Sequence, residues 1–480
     1  MTSPRGAAIA CTFALLVVMM GSPARGQEEG EAPQQAPPPR SHDWRSPGFV
    51  SVVGGRLYDP ACVPLVSIGS NVPNLPFRRG ISETLAWARA TRMRWIRVFA
   101  TGHGLAADRS PATASAAIAA LRAVVDTVQA YDATVPPEEA LYVMIVLTDY
   151  YPIGVPGDGH AYDHPNFRDV PVLPAPWYRA GVRAFDFDQE HGYGVARSLP
   201  NYEVFYKPWV QEIVSAFAQS PVLIGWQLGN ELKARNSPRN GISAAEAYGW
   251  YLEFTKDMVD TIRAIDTNHA IFMGAQYMAE LVDWNYRPGG PPSPDLLPTY
   301  QNLVQQALDA CGTYCWNVWG LTEYDANPFP VDDAMMFRRA GVTSVITEFG
   351  YTREIRGDSQ QLFSGDRATA VRSGVPAPWV DIDGVPHEHE WSALELFRAA
   401  GVSGLVPWGT PAPGPDADPD IDVGRGVTGT PDEARLTAAW ADVGSALEAA
   451  NRAAGPASDC LDYDSRTGNV LPQNLNRPDA

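Results

Sequence analysis

Positive charge is scarce in this sequence. Lys and Arg number 36 against 55 Asp and Glu, for a net charge of −19. That balance argues against nucleic-acid binding, which needs a basic face to neutralise phosphates. Charge of either sign is modest, at 19% of residues, while aromatics reach 10% with 14 Trp. A disordered chain shows the opposite balance. Several motifs are missing as well. No Gly-x-Ser-x-Gly elbow is present, as a serine hydrolase of the α/β type would need. No His-Glu-x-x-His pattern offers a zinc site. No glycine-rich phosphate loop follows the first predicted strand, which argues against an open dinucleotide-binding sheet. There is no internal repeat. Apart from Ala7 to Met20 there is no long apolar run, and that one is shorter than the ~20 residues a membrane span requires.

What is present begins with an export signal. Arg5 supplies a positive start, Ala7 to Met20 is apolar and uncharged, and Ser22-Pro23-Ala24 offers small residues for cleavage. Residues 1–24 are therefore expected to be a secretory signal peptide. Residues 25–45 are rich in Pro, Gln and Glu and have the composition of an extended linker. The folded domain is expected over 46–475, secreted and not held at a membrane once the signal is removed. Without Cys11 in the signal, four cysteines remain: Cys62, Cys311, Cys315 and Cys460. An even count in an exported chain suggests two disulfides. Of the three pairings, Cys311–Cys315 with Cys62–Cys460 is favoured, because the second bond ties the two ends together. The spacing does not form the two close pairs of a zinc site.

The body of the chain alternates short apolar runs with helical patterns. Strands are predicted at Pro64–Asn71, Arg94–Ala100, Leu141–Thr148, Val222–Leu228, Ala270–Gln276, Trp316–Thr322, Thr343–Thr347 and Gly404–Trp408. Several are apolar throughout, as parallel strands buried on both faces are. Helical patterns fall between them and after the last, where Thr430 precedes Pro431–Arg452 with the Pro in the first turn. This alternation predicts an α/β fold of the (β/α)₈ TIM-barrel type. Gly54-Gly55 before the first strand predicts a hairpin turn that caps the bottom of the barrel. The stretches after the third, fifth, seventh and eighth strands are long. All follow strands and so belong to the C-terminal face, where barrel active sites are built. The segment from Asp149 to Leu199 shows no convincing helix, and loops of such length are usually functional.

The chemistry sits at strand ends. Trp226-Gln227-Leu228-Gly229-Asn230-Glu231 closes the fourth strand, and Val345-Ile346-Thr347-Glu348-Phe349-Gly350 closes the seventh. Each brings a carboxylate to the same rim. Two facing carboxylates are what glycoside hydrolysis requires, one to protonate the leaving oxygen and one to attack the anomeric carbon or activate water. A lone Glu would more often be a strand-end salt bridge. Arg97 lies inside the apolar run Trp95–Phe99, where a charge needs a partner.

On these residues the sequence resembles glycoside hydrolase family 5 of clan A, the retaining β-glycosidases, over about Phe49 to Ala450. The resemblance implies that Glu231 is the acid/base and Glu348 the nucleophile. It implies that Asn230 contacts the sugar 2-hydroxyl and that Arg97 and Tyr324 hydrogen-bond the nucleophile. Trp408 would form the floor under the sugar at the cleavage point. The mechanism implied is double displacement with retention, a carboxyl separation of about 5–5.5 Å, and no cofactor. Asn71, within Gly69-Ser70-Asn71-Val72-Pro73, resembles the Gly-x-Asn of mannanases, so the partner expected is a polysaccharide, β-1,4-mannan before β-1,4- or β-1,3-glucan, acted on by a monomer. Two positions depart from the family. Thr322 stands where a His usually precedes the Tyr, and Thr148-Asp149-Tyr150 stands where many clan members carry His. These departures leave a non-catalytic carbohydrate-binding barrel as the rival reading.

Other features take plainer readings. Trp177, Tyr178, Tyr150-Tyr151 and Trp284 are either sugar platforms or loop packing, packing being the commoner use of a single aromatic. Asp416, Asp418, Asp420 and Asp422 hint at Ca²⁺ but lack the spacing and closing Glu of an EF-hand, so no metal is expected.

Overall fold

A computed structural model describes residues 45–77, 80–103, 111–149, 175–182, 184–187, 197–232, 242–274, 315–316, 318–321, 343–349, 379–380, 386–387, 402–407, 431–464 and 469–470. The expected signal peptide and linker lie outside them. Eight parallel strands form the centre: β1 Ser67–Asn71, β2 Trp95–Phe99, β3 Tyr142–Val146, β4 Leu223–Gln227, β5 Ala270–Phe272, β6, β7 Ser344–Phe349 and β8 Val402–Pro407. Each expected strand is found, with ends trimmed or extended by a few residues. The strand β6 comes in two pieces. Cys315–Trp316 pairs with β5, Cys315 opposite Ile271, while Val318–Leu321 pairs with β7, Gly320 opposite Glu348. Gly404 of β8 pairs with Ser67 of β1, so the strand order closes on itself. Every barrel pairing is parallel. The fold is a (β/α)₈ barrel, and closure removes the exposed edges of an open sheet.

Burial on both faces explains why apolar residues dominate these strands. All five residues of β2, β3 and β4 are buried. The lower interior is filled by Trp95, which is wholly buried. Two glycines make room for it. A methyl group added at Gly69 of β1 would stand 2.7 Å from the indole, and one at Gly404 of β8 would also stand at 2.7 Å. Close packing of this kind leaves no space for a side chain at either position.

The longer described helices follow β1 to β4 and β8: α1 Ile81–Ala90, α2 Ala114–Asp132, α3 Tyr206–Phe217, α4 Ala244–Arg263 and α5 Pro431–Ala454. Their starts are built from local chemistry. Thr113 accepts from the Ala116 N–H at the head of α2. Ser243 and Glu246 form a reciprocal capping box at the head of α4, which satisfies two otherwise orphaned donors. On α2, Ala117, Leu121, Val124, Val125 and Val128 form the buried stripe. On α3 that stripe is Trp209, Val210, Ile213, Val214 and Phe217, at the spacing of an amphipathic helix.

The hairpin expected at Gly54-Gly55 joins Ser51–Val53 to Arg56–Tyr58. Both glycines have positive φ, 58° and 76°, as a two-residue hairpin turn requires. It lies against the N-terminal end of β8, where the Leu57 N–H donates to Ser403 Oγ at 3.2 Å. Val52 and Leu57 join the main core there. Cys62, just beyond it, is bonded to Cys460 across a sequence separation of 398 residues. Cys311 lies outside the described residues, and so does its expected bond to Cys315.

The stretch after β3 is more structured than its sequence suggested. A single turn at Ala175–Tyr178 is followed by an antiparallel pair, Ala184–Phe187 with Arg197–Pro200. Trp177 and Tyr178 are buried, and their rings pack on Phe254 of α4 at centroid distances of 5.3 and 5.1 Å. These two aromatics pack the loop against the barrel and are not sugar platforms.

Candidate active site

At the C-terminal ends of β1 to β4, polar side chains replace the apolar interior. Arg97, from the middle of β2, is fully buried. Its Nε donates to Gln227 Oε1 at 2.8 Å, its Nη1 to Asn71 Oδ1 at 3.1 Å and its Nη2 to Asn230 Oδ1 at 2.7 Å. The guanidinium carbon also lies 4.6 Å from the centroid of the Phe99 ring, within cation–π range. The rigid fork of an Arg suits this task, because three amide oxygens arrive from three different places on the rim. A buried guanidinium favours ionised carboxylates nearby. The structure thus brings Asn71, Arg97 and Asn230 together, and adds Gln227, which sequence reasoning missed. Its signal was available: a polar amide inside the apolar run Val222–Leu228 needs a partner as much as Arg97 does.

Glu231 follows directly and is buried, with φ +52° in the left-handed region. A non-glycine residue in that region is held there by its surroundings, at a cost of roughly 1–3 kcal/mol. The restraints lie on both sides. The Asn230 N–H donates to Thr148 O at 2.8 Å, and the Leu232 N–H donates to Gly274 O at 3.0 Å. Gly274 itself has φ +82°, and a methyl group there would fall 1.8 Å from Gly229 O. The backbone after β4 is therefore clamped between the ends of β3 and β5. Helix α3 supports the same rim from outside, with the Tyr206 hydroxyl donating to Leu228 O and Trp209 Nε1 to Leu147 O at 3.0 Å.

A second set of contacts links the loops. Asn230 Nδ2 donates to Asp149 Oδ1 at 3.0 Å, and Asp149 Oδ2 lies 2.6 Å from His103 Nδ1. Asn74 holds His103 by its backbone, accepting from its N–H at 2.7 Å and donating to its carbonyl at 2.8 Å. Asn74, His103, Asp149 and Asn230 follow β1, β2, β3 and β4 in turn. Neither His103 nor Asn74 shows a sequence signal, since both sit in aperiodic loops. Asp149 stands at a position first noted only for the His it lacks.

Glu348 is the fifth residue of the six-residue β7, at the end of that strand which lies on the same face. The register of β7 shifts against β8 between Ile346 and Phe349, so an irregularity of the backbone brackets this position. Tyr324, Trp408, Thr322, Trp284, Tyr150-Tyr151 and the four alternating Asp residues lie outside the described residues. Among the described residues, no three His, Cys, Asp or Glu side chains cluster as a metal site would require. Among them, too, no helix is long and apolar enough to cross a membrane.

No protein-family model matches the chain. Curated proteins do. The chain is 27% identical to mannan endo-1,4-beta-mannosidase A of Podospora anserina over 175 residues, which is 36% of this chain and 42% of that one. It is 27% identical to mannan endo-1,4-beta-mannosidase F of Aspergillus clavatus over 172 residues, 35% of this chain and 37% of that one. Over about a third of its length the chain is thus similar in sequence to mannan endo-1,4-beta-mannosidases. It spans about two fifths of the length of these relatives. The solved structure of the endo-1,4-beta-mannanase from Rhizomucor miehei aligns with a TM-score of 0.50 at 11% identity, covering 83% of this chain and 99% of that one. That alignment carries the barrel fold, in agreement with the closed strand order above. The resemblance to family 5 glycoside hydrolases stands with these mannanase-like relatives.

Proposed function

We propose that this protein is a secreted, retaining endo-β-1,4-mannanase. The observation that carries the reading is the rim of the barrel: Asn230-Glu231 follows β4, Glu348 lies near the end of β7, and a buried Arg97 lies on β2 of the same sheet. The names of the sequence relatives supply the substrate class. In this reading Glu231 protonates the glycosidic oxygen while Glu348 attacks the anomeric carbon to form a glycosyl-enzyme. Glu231 then takes a proton from water, which releases the sugar with retained configuration. Two carboxyl groups and water suffice, so no cofactor enters. Asn230, held by Arg97 and Asp149, contacts the 2-hydroxyl of the sugar. Tyr324 supports Glu348, and Trp408 lies under the sugar ring. Secretion rests on the N-terminal signal pattern and agrees with the Cys62–Cys460 bond, since disulfides persist in oxidising compartments.

The test is release of reducing sugar from β-mannan, galactomannan, carboxymethylcellulose and laminarin by the mature chain, beside Glu348→Gln. Release from the mannans alone, lost in the variant, is the expected result. Release from a glucan only keeps the mechanism and replaces the substrate with a β-glucan. Binding of a glycan with no release from any of the four would mark a carbohydrate-binding barrel instead.

A further inference from the structure

Asn230 occupies the residue position before Glu231, so the direction of its amide matters for any sugar bound there. Two partners fix that direction. Arg97 Nη2 is only a donor, and it meets Oδ1 at 2.7 Å. Asp149, when ionised, is only an acceptor, and it meets Nδ2 at 3.0 Å. Turning the amide over would set its NH₂ against the guanidinium and its oxygen against the carboxylate, so both neighbours forbid the flip. The second oxygen of Asp149 is taken by His103 Nδ1 at 2.6 Å. An ionised Asp149 requires a proton on that nitrogen, which sets the ring tautomer. His103 is in turn fixed through its backbone by Asn74 at 2.7 and 2.8 Å. Asp149 is 2% exposed and Asn74 1%, so these two are shielded from competing water, while the His103 side chain is 21% exposed.

We propose that Asp149 and His103 are positioning residues for the acid/base end of the site, acting through Asn230. The pair fixes one orientation of the Asn230 amide, and with it the direction of the second Nδ2 hydrogen, the one left to meet the sugar. It also braces the segment that places Glu231 at φ +52°. Preorganisation of this kind speeds a reaction because the group need not reorient in the transition state. A misplacement of about 1 Å is enough to cost about 10²-fold. The inference rests on the reading of Asn230 and Glu231 given above.

The experiment is a double-mutant cycle on whichever soluble β-glycan the wild-type chain cleaves. Asp149→Ala, Asn230→Ala and the double variant are compared by kcat/KM, with thermal unfolding as the control for folding. Asp149→Ala should lower kcat/KM by about 10²-fold, chiefly through kcat. In the Asn230→Ala background the same change should add less than about threefold, because the residue it acts through is gone. Asp149→Asn keeps an acceptor for Asn230 and should recover part of the loss. His103→Ala should cost about tenfold, again only while Asn230 is present. If Asp149→Ala does not fold, the His103→Ala pair of measurements decides alone. Independent, multiplying losses would overturn the proposal, as would near-normal kcat in Asp149→Ala and His103→Ala. A wild-type chain that cleaves no glycan overturns this inference together with the reading beneath it. Normal wild-type turnover with additive variants overturns the inference alone.

Discussion

Arg97 and Asn230 meet across the mouth of the barrel, the guanidinium Nη2 donating to the amide oxygen at 2.7 Å. Arg97 serves Gln227 and Asn71 at the same time. Its geometry therefore matters as much as its charge. Arg97→Lys keeps the charge but offers one ammonium to acceptors on three sides. We expect at least a 10²-fold loss of kcat/KM on the substrate and a stability loss of about 1–3 kcal/mol. Steady-state kinetics with denaturant unfolding checks both, and a lysine variant of normal activity would remove the fork from the argument.

Gly274 gives a sharper case. A methyl group there would fall 1.8 Å from Gly229 O, on backbone already at φ +82°. Gly274→Ala should cost more than about 3 kcal/mol and disturb the segment that carries Glu231. Gly48 has a similar φ of +87° with nothing within 4 Å of an added methyl. Gly48→Ala should cost only about 1–2 kcal/mol, the price of the dihedral alone. Thermal melts of the two variants side by side separate collision from conformational strain.

Asp132, at the end of α2, carries a pH prediction. Burial pushes its carboxyl up to about 6, against the hydrogen bond from the Leu141 N–H and the charge of Arg94, which both pull it down. The folded chain therefore holds this proton more tightly than the unfolded chain does. Stability from this group is present below about pH 4, falls as pH rises to about 6, and is flat beyond. Asp132→Asn keeps the oxygen that accepts from Leu141 at 2.9 Å and carries no charge to bury. It should melt higher than wild type at pH 7, with the gap closing near pH 4. A gap that widened on acidification would contradict the assignment.

The Cys62–Cys460 bond closes 398 residues, far more than most disulfides span. Replacing both residues by Ser should lower stability by about 2–5 kcal/mol, because the unfolded chain gains freedom. Reductant should reproduce the effect in wild type and do much less to the double variant, whose mature chain keeps only Cys311 and Cys315.

Much of this was legible in the sequence for one reason. A strand buried on both faces is largely apolar, and the eight runs announced themselves that way. Arg97, Asn230 and Glu231 stood out because a polar group at or beside such a run needs a partner. The rest was invisible for equally physical reasons. The division of β6 into halves that pair with different neighbours depends on the closure of the sheet and leaves no local pattern. The hairpin Ala184–Phe187 with Arg197–Pro200 has no two-residue turn signal between its short strands. His103 and Asp149 lie 46 residues apart, and only the barrel brings their loops together. Trp177 and Tyr178 could be read as platforms or as packing from sequence, and α4 decides for packing.

The bond between Cys62 and Cys460 also makes the barrel part of a covalently closed ring. A protease that nicks one of the long loops between them frees no fragment. The two pieces stay joined and travel as one species on a non-reducing gel, separating only when a thiol is added. A single cut thus leaves every barrel strand covalently tethered to the rest, so a proteolytic nick does not by itself scatter the fold.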